Sequence, residues 1–332
     1  MQAFLIDRYG KNTGRIGEVP EPEMGTDDVL VQVHAASVNL LDSKIRSGEF
    51  KLILPYALPL ILGNDLAGVV IRVGSGVCGF KPGDEVFGRV PQARIGTFAE
   101  RICVSEEALA LKPRNLGMQE AAALPLVGLT AWQVLVETAQ LKQGQKVLIH
   151  AGSGGVGSFA IQLAKHLGAF VATTTSTANV EWVKALGADV VIDYTRQKFE
   201  DELQGYDLVL SSLGADGLHK SLKVLKPGGQ LISISGPPTL QFAREQNLSW
   251  GLQQVLRLLS SSIRRKARRH DVSYAFVFMV ASGAQLREIV TLVEAGTIRP
   301  VIDRSFPLAT TADALRYVEQ GRAKGKVVIT VV

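Results

Sequence analysis

Residues 146–168 read KVLIHAGSGGVGSFAIQLAKHLG, a short β-branched apolar run, a turn and a helical stretch in direct succession. Four of the six residues from Gly152 to Gly157 are glycine. Few architectures accept so bare a turn between a buried strand and an amphipathic helix. Gly152, Gly154 and Gly157 match G-x-G-x-x-G, with Ser153, Gly155 and Val156 filling the spacing. In that pattern the first glycine permits a tight turn and the second lets a pyrophosphate approach the main chain. The third lets the helix lie close to the strand. The unpaired N–H groups and the dipole at the helix start then favour negative charge. Glycines also serve plain tight packing. The strand–turn–helix setting favours a dinucleotide site.

The rhythm continues downstream. AFVATTT (169–175), DVVIDY, YDLVLSSLG and QLISISG read as strands, and FAIQLAKHLG, ANVEWVKALGA and GLHKSLKVLKPGG as helices. Gly168 should stop the first of these helices. Strands alternating with helices at this interval predict βαβ units and a doubly wound parallel sheet, the Rossmann arrangement. The flanks differ. DDVLVQVHAAS, LAGVVIRVGSGV, PGDEVFGR and GTFAERICV are short apolar runs cut by turn residues, which predicts antiparallel β structure. The tail PVIDRSFPL, TADALRYVEQG, GKVVITVV is similar. Both ends therefore build one β-rich domain, 1–122 completed by 297–332, with the dinucleotide domain 123–296 inserted. A chain of 332 residues is long enough for two cores.

Composition excludes several classes. No apolar run reaches membrane-spanning length, and MQAFLIDRYGKNTG lacks the apolar core of a signal peptide. A cytoplasmic protein is the default expectation. Two cysteines, Cys78 and Cys103, supply neither a disulfide framework nor a four-cysteine zinc lobe. The net charge of +5 is mild and owes much to RRKARRH at 264–270. No recognition motif accompanies that charge, so nucleic acid is not an expected partner. The stretch SWGLQQVLRLLSSSIRRKARRH reads as an amphipathic helix with a basic end. It is taken as a solvated face beside an interface, the alternative being contact with an anionic membrane surface or a partner.

The second strand of the dinucleotide unit ends in TTTSTAN (173–179), with no acid before Glu181. A carboxylate there would bind free ribose hydroxyls and repel a 2′-phosphate. Small hydroxyls leave room and offer hydrogen bonds. NADPH is therefore expected rather than NADH.

SVNLLDSKIRSGEF, LPLILGNDLAGVVIRVGSGVCGFKPGDEVFG, GTFAE, AAALPLVGLTAW, AGSGGVGSFAIQLAKHLGA and GKVVITVV resemble, in order and over nearly the whole chain, one branch of the medium-chain dehydrogenase/reductases. It is the zinc-independent, zeta-crystallin-like quinone oxidoreductase branch. The resemblance implies an α/β protein with a GroES-like β-rich catalytic domain, a Rossmann domain and a cleft between them. It also implies a homodimer or tetramer joined through the edge strand YAFVFMV (274–280).

In zinc-dependent members a Cys, a His–Glu pair and a further Cys or His hold the metal. Here the matching positions are Asn39, Asn64–Asp65 and the metal-inert LPLVGLTAW, so no metal ligands are expected. The implied reaction is hydride transfer from NADPH to a quinone or an α,β-unsaturated carbonyl, whose conjugation spreads the developing charge. The alternative is an NADPH-binding redox sensor or structural protein with little turnover. Asn39 either points its amide toward the substrate or caps the helix LLDSKIRSG. Asp42 and Asp65 are taken as turn residues. The family's substrate-facing Tyr is Phe50 here, which leaves Tyr56, the cofactor ribose or solvent as the proton source. By position, Thr175, Ser176 and Asn179 fall near the adenosine ribose, and Tyr194 and Arg196 on the adenosine side. Leu213 borders the adenine or ribose. Thr130 and the Phe276–Phe278 segment approach the nicotinamide, and Lys326 the cleft mouth.

Overall fold

The computed structural model describes residues 1–332, which form two compact units, 1–129 with 280–332 and 130–279. In the first unit the chain runs β1 (Gln2–Ile6), β2 (Arg15–Glu18), β3 (Asp28–Val38), α1 (Leu40–Ser47), β4 (Leu60–Ile61), β5 (Asp65–Val73) and β6 (Glu85–Arg89). It continues through β7 (Arg101–Ser105), β8 (Leu109–Leu111), α2 (Met118–Ala122) and α3 (Pro125–Trp132), whose last turn enters the second unit. The long strand β3 organises the sheet. It pairs antiparallel with β5 along one edge, and its N-terminal half pairs with β7 along the other. Val29, Val31 and Val33 are fully buried, together with Leu66, Val86, Phe98 and Leu109, and Leu30 on the other face of β3 is buried too, so this strand is covered on both sides there.

The second unit runs β9 (Lys146–Ile149), α4 (Gly155–His166), β10 (Phe170–Thr175), α5 (Val180–Ala185), β11 (Val190–Asp193), α6 (Phe199–Glu202) and β12 (Tyr206–Ser211). Then come α7 (Ala215–Ser221), β13 (Leu225–Ser233), α8 (Leu240–Glu245), α9 (Trp250–Leu259), α10 (Ser261–Arg269) and β14 (Ser273–Phe276). The six strands are parallel in the order β11-β10-β9-β12-β13-β14. This is the doubly wound order, in which the progression of strands reverses beside β9, where ligands of such sheets bind. Gly168 ends α4 in the left-handed region, φ 78°, as expected.

Back in the first unit, α11 (Gly283–Glu294), β15 (Ile302–Pro307), α12 (Thr311–Glu319) and β16 (Lys326–Thr330) complete the β-rich domain. Strand β16 pairs with the C-terminal half of β3, which joins the tail of the chain to the main sheet of this unit, while β1 pairs with β2 and β4 in a separate small sheet.

Three expectations need correction. The unit boundaries fall at 129/130 and 279/280 rather than 122/123 and 296/297. Helix α11 belongs with the β-rich unit because it lies against β8. A side chain at Gly283 would overlap the carbonyl oxygen of Leu109. The helix expected over GLHKSLKVLKPGG stops at Ser221, and Leu225–Ser233 is one strand with a register shift at its start. The stretch around 250–270 is two helices. Buried Ser260 turns its hydroxyl back onto the Leu256 carbonyl at 2.9 Å, and the chain breaks there. No helix is long and apolar enough to cross a membrane.

Candidate functional site

The turn between β9 and α4 uses its glycines in an unexpected division of labour. None of Gly152, Gly154, Gly155 and Gly157 has positive φ; the left-handed residue is Ala151, φ 54°. Gly152 and Gly157 are bare for packing. A Cβ on the first would overlap the Thr173 hydroxyl, and on the second the Ala151 carbonyl oxygen. Gly154 differs. It sits extended at the start of α4, φ −83° and ψ 173°. A Cβ there would meet only the Ala151 carbonyl oxygen, at 3.4 Å, which is ordinary contact. Packing within the chain does not demand a glycine at 154. The first-turn N–H groups of Gly155, Val156 and Gly157 have no acceptor within the helix, and with the dipole of a twelve-residue helix they could hold an anion.

Beside this turn the β10 end is fully engaged except at one atom. Thr173 donates to the Ile149 carbonyl at 2.6 Å, and the Thr174 hydroxyl accepts from Ala151 N–H at 3.2 Å. The buried Thr175 hydroxyl has no partner, as a residue awaiting a ligand would. Ser176 accepts from Asn179 Nδ2 at 3.1 Å, and Asn179 Oδ1 accepts from the Trp182 indole N–H at 3.0 Å. Sequence reading found no acid here, but the sheet register sets Asp193 opposite Thr175. That carboxylate accepts from Thr177 at 2.6 Å and Thr195 at 2.7 Å, which holds its pKa below the usual carboxylate range. Arg196 lies 3.6 Å from Asp193, so this cation is already shared. Tyr194 is exposed rather than a core aromatic. Leu213 N–H donates to Ser211 Oγ at 3.2 Å. Phe276 and Phe278 pack edge-on against Phe242, and Thr130 is buried.

His150, just before the turn, was not singled out from sequence. Its ring nitrogens lie 3.1 Å from Thr174 Oγ1 and 3.0 Å from Ser221 Oγ. Burial pushes its pKa down to about 3. A group depressed in the folded state contributes stability that is full above its unfolded value, near 6.5, and is lost as pH falls toward the folded value. We expect the urea midpoint to fall between pH 7 and pH 4, and His150→Gln to flatten that slope. An unchanged slope in the variant would show that other groups set it.

The β-rich unit holds a second polar station. Asn39 Nδ2 donates to Asp65 Oδ2 at 2.9 Å and to the Ser37 carbonyl at 3.3 Å, and its Oδ1 accepts from Lys326 Nζ at 2.5 Å. Asp65 also accepts from the Ser37 hydroxyl at 2.6 Å and the Leu126 N–H at 2.8 Å. Lys326 Nζ stands 3.5 Å from Asp65. All of these side chains are buried. Burial lowers the Lys326 pKa against the opposing pull of Asp65 and Asp42. Asp42 accepts from Asn39 N–H and Asn64 Nδ2, both at 2.7 Å, and burial raises its pKa to about 6.

Several expectations change here. The Asn39 side chain neither caps α1 nor offers a spare donor, because Asp65, Ser37 and Lys326 engage both ends of its amide. In the first turn of α1 the Asn39 N–H instead donates to the Asp42 carboxylate. Lys326 is not at an open mouth; it is buried in this network. Asp65 is its hub rather than a turn residue. Tyr56 donates its hydroxyl to the Gln92 carbonyl at 2.8 Å, and burial raises its pKa to about 12. Buried Arg89, with Nε unpartnered, also escaped sequence reading because nothing in EVFGRV marks its inward turn.

The donor set does not fit zinc. Two amides, two carboxylates and an ammonium group bond to one another, leaving only Asn64 Oδ1 without a partner, and neither thiolate nor imidazole is among them.

Two family models match the chain, the alcohol dehydrogenase GroES-like domain over residues 25–114 and the zinc-binding dehydrogenase over 186–329. The chain is 38% identical over 324 residues to the 2-methylene-furan-3-one reductase of Solanum lycopersicum, covering 94% of this chain and 74% of that one. It is 37% identical over 321 residues to the chloroplastic NADPH-dependent alkenal/one oxidoreductase of Arabidopsis thaliana, covering 93% and 73%. The quinone oxidoreductase structure from Coxiella burnetii superposes with a TM-score of 0.88 at 33% identity, covering 100% and 99%. Fold and site thus define an NAD(P)H-dependent oxidoreductase of the quinone and alkenal reductase type. The chain belongs to the quinone oxidoreductase group of the medium-chain dehydrogenase/reductase superfamily.

Proposed function

We propose that this protein is an NADPH-dependent reductase that delivers hydride, without a metal, to a quinone or an α,β-unsaturated carbonyl. The observation that carries the reading is that Asn39 and Asp65, at sequence positions that resemble the ligand positions of zinc-dependent members, are bonded to each other and to Lys326. A site whose only buried cations are Lys326 and Arg89 suits an acceptor that is already electrophilic. The reduced nicotinamide, when bound, supplies the hydride. The turn of Gly152, Ser153, Gly154, Gly155, Val156 and Gly157 holds the pyrophosphate. Thr175, Ser176 and Asn179 take the ribose and its phosphate, with Tyr194 and Arg196 along the adenosine and Leu213 beside it. Thr130, Phe276 and Phe278 serve the nicotinamide end. Lys326 and Asp65 hold Asn39 in place, so Asn39 acts as a positioning residue. Tyr56, with its hydroxyl engaged and its pKa raised, orients substrate and leaves protonation of the enolate to solvent. The open edge of β14 is the surface through which two copies would join, and two free cysteines suit a reducing compartment such as the cytoplasm.

Loss of the reduced-nicotinamide absorbance with naphthoquinones and enones tests the reading. We expect oxidation of NADPH well ahead of NADH at equal concentration, with no zinc in the active protein. Preference for NADH, or stoichiometric zinc, would overturn it. Tight NADPH binding with no turnover on any acceptor would place the protein among sensors instead.

A further inference from the structure

Helix α9 carries apolar residues on two sides, and only one of them is used. Leu256 of α9 is buried, and Ile263 and Ala267 of α10 join the core of the second unit. Trp250, Val255, Leu258 and Leu259 stand in solvent, with 76%, 48%, 71% and 60% of their surface exposed. A helix that merely covered the sheet would place polar residues there. Large apolar side chains clustered on one short exposed helix mark a contact surface.

The charge alongside is as one-sided as the apolar patch. From residue 246 to residue 270 there is no acid, while Arg257, Arg264, Arg265, Lys266, Arg268, Arg269 and His270 are present. None of the five arginines has a carboxylate within ion-pair distance; Arg257 reaches only the Gln254 amide, at 3.4 Å. Lys266 meets His219 Nδ1 at 3.2 Å, another group without negative charge. The acids on neighbouring elements are occupied or outside the run: Asp216 pairs with Lys220 and Glu245 accepts from Gln241. Ordinary helix C-terminal stabilisation needs one or two cations in the last turn, not five within six residues.

We propose that α9 and α10 form a docking surface for an anionic lipid bilayer. Trp250, Val255, Leu258 and Leu259 enter the headgroup–acyl boundary, and the arginines of α10 face lipid phosphates. An indole beside leucines and adjacent basic side chains is the composition of an interfacial helix. Neither helix spans the bilayer. Contact is peripheral and reversible, held jointly by apolar insertion and salt-sensitive attraction.

Sedimentation of the full chain with vesicles tests this. We expect the protein to pellet with vesicles of phosphatidylcholine plus phosphatidylglycerol and to stay in the supernatant with phosphatidylcholine alone. Binding should weaken about tenfold or more in high salt. Trp250 emission should shift to the blue on binding, and Trp250→Phe should remove that shift while Trp132 and Trp182 remain. Two surface variants, Leu258→Glu/Leu259→Glu and Arg265→Glu/Arg268→Glu/Arg269→Glu, should each lose vesicle binding while NADPH affinity is kept. Equal pelleting with both vesicle types, or unchanged pelleting of both variants, would overturn the proposal. So would dissociation of a dimer by the leucine variant without loss from vesicles, since that result assigns the patch to a second copy of the chain.

Discussion

Gly154→Val is expected to weaken NADPH binding by about 100-fold, ~2.7 kcal/mol, while leaving the melting temperature of the cofactor-free protein within about 2 °C of the original. Both halves follow from one geometric fact. The backbone at residue 154 is extended and suits a β-branched residue, and a Cβ there meets nothing closer than 3.4 Å in the chain. A ligand lying against that main chain would meet the added side chain, whereas the chain meets its Cβ only in ordinary contact. Gly157→Ala is the contrasting control. Its Cβ would overlap the Ala151 carbonyl oxygen, a backbone atom with no freedom to rotate away. The helix must shift from the strand, so stability should fall together with affinity. Calorimetric titration and thermal melts of the two variants separate the cases. Equal NADPH affinity in Gly154→Val and the native protein would remove the β9–α4 turn from the cofactor site.

Lys326→Met should destabilise the protein by about 3–5 kcal/mol, because it strands the buried Asp65 carboxylate without its cation. For the 182 residues of this unit that is a fall in Tm of roughly 6–20 °C. The neighbourhood is already costly for negative charge, since burial, aided by the Asp65 charge, lifts Asp42 to about 6 against its hydrogen bonds from Asn39 and Asn64. The sign of the pH dependence follows. A carboxyl raised in the folded state contributes stability that is full below its unfolded value and lost as pH rises through the folded one. The deficit of Lys326→Met relative to the native protein should therefore be smallest near pH 4 and largest near pH 8. Asp65→Asn/Lys326→Met should be less destabilised than the sum of its parts, with a coupling of at least about 1 kcal/mol by urea denaturation. Additive effects would mean that Asp65 and Lys326 do not depend on each other.

Much of the dinucleotide domain was legible in the sequence because its signals are local. The apolar run before Gly152, the glycine spacing and Gly168 each act within a few residues of themselves. The parallel strands β9 to β12 fall within the expected segments for that reason. The boundary at 279/280 was not legible, because it depends on Gly283 meeting Leu109 across about 170 residues of chain. Nor was the break at Ser260, where a hydroxyl chose its own helix carbonyl over continuing the turn.

The amino-acid order by itself determined that this chain forms a parallel sheet carrying a bare phosphate-type turn, and that thiolate and imidazole are missing from the positions that would hold zinc. Residue type and short spacing suffice for both. Only the tertiary structure decided what Asn39, Asp65 and Lys326 do. The pairing of β16 with β3 carries Lys326 to Asn39 from the far end of the chain, and burial makes their mutual satisfaction compulsory. The same holds for Gly154. Composition cannot tell a glycine kept for packing from one kept for a ligand, whereas the space around its absent side chain can.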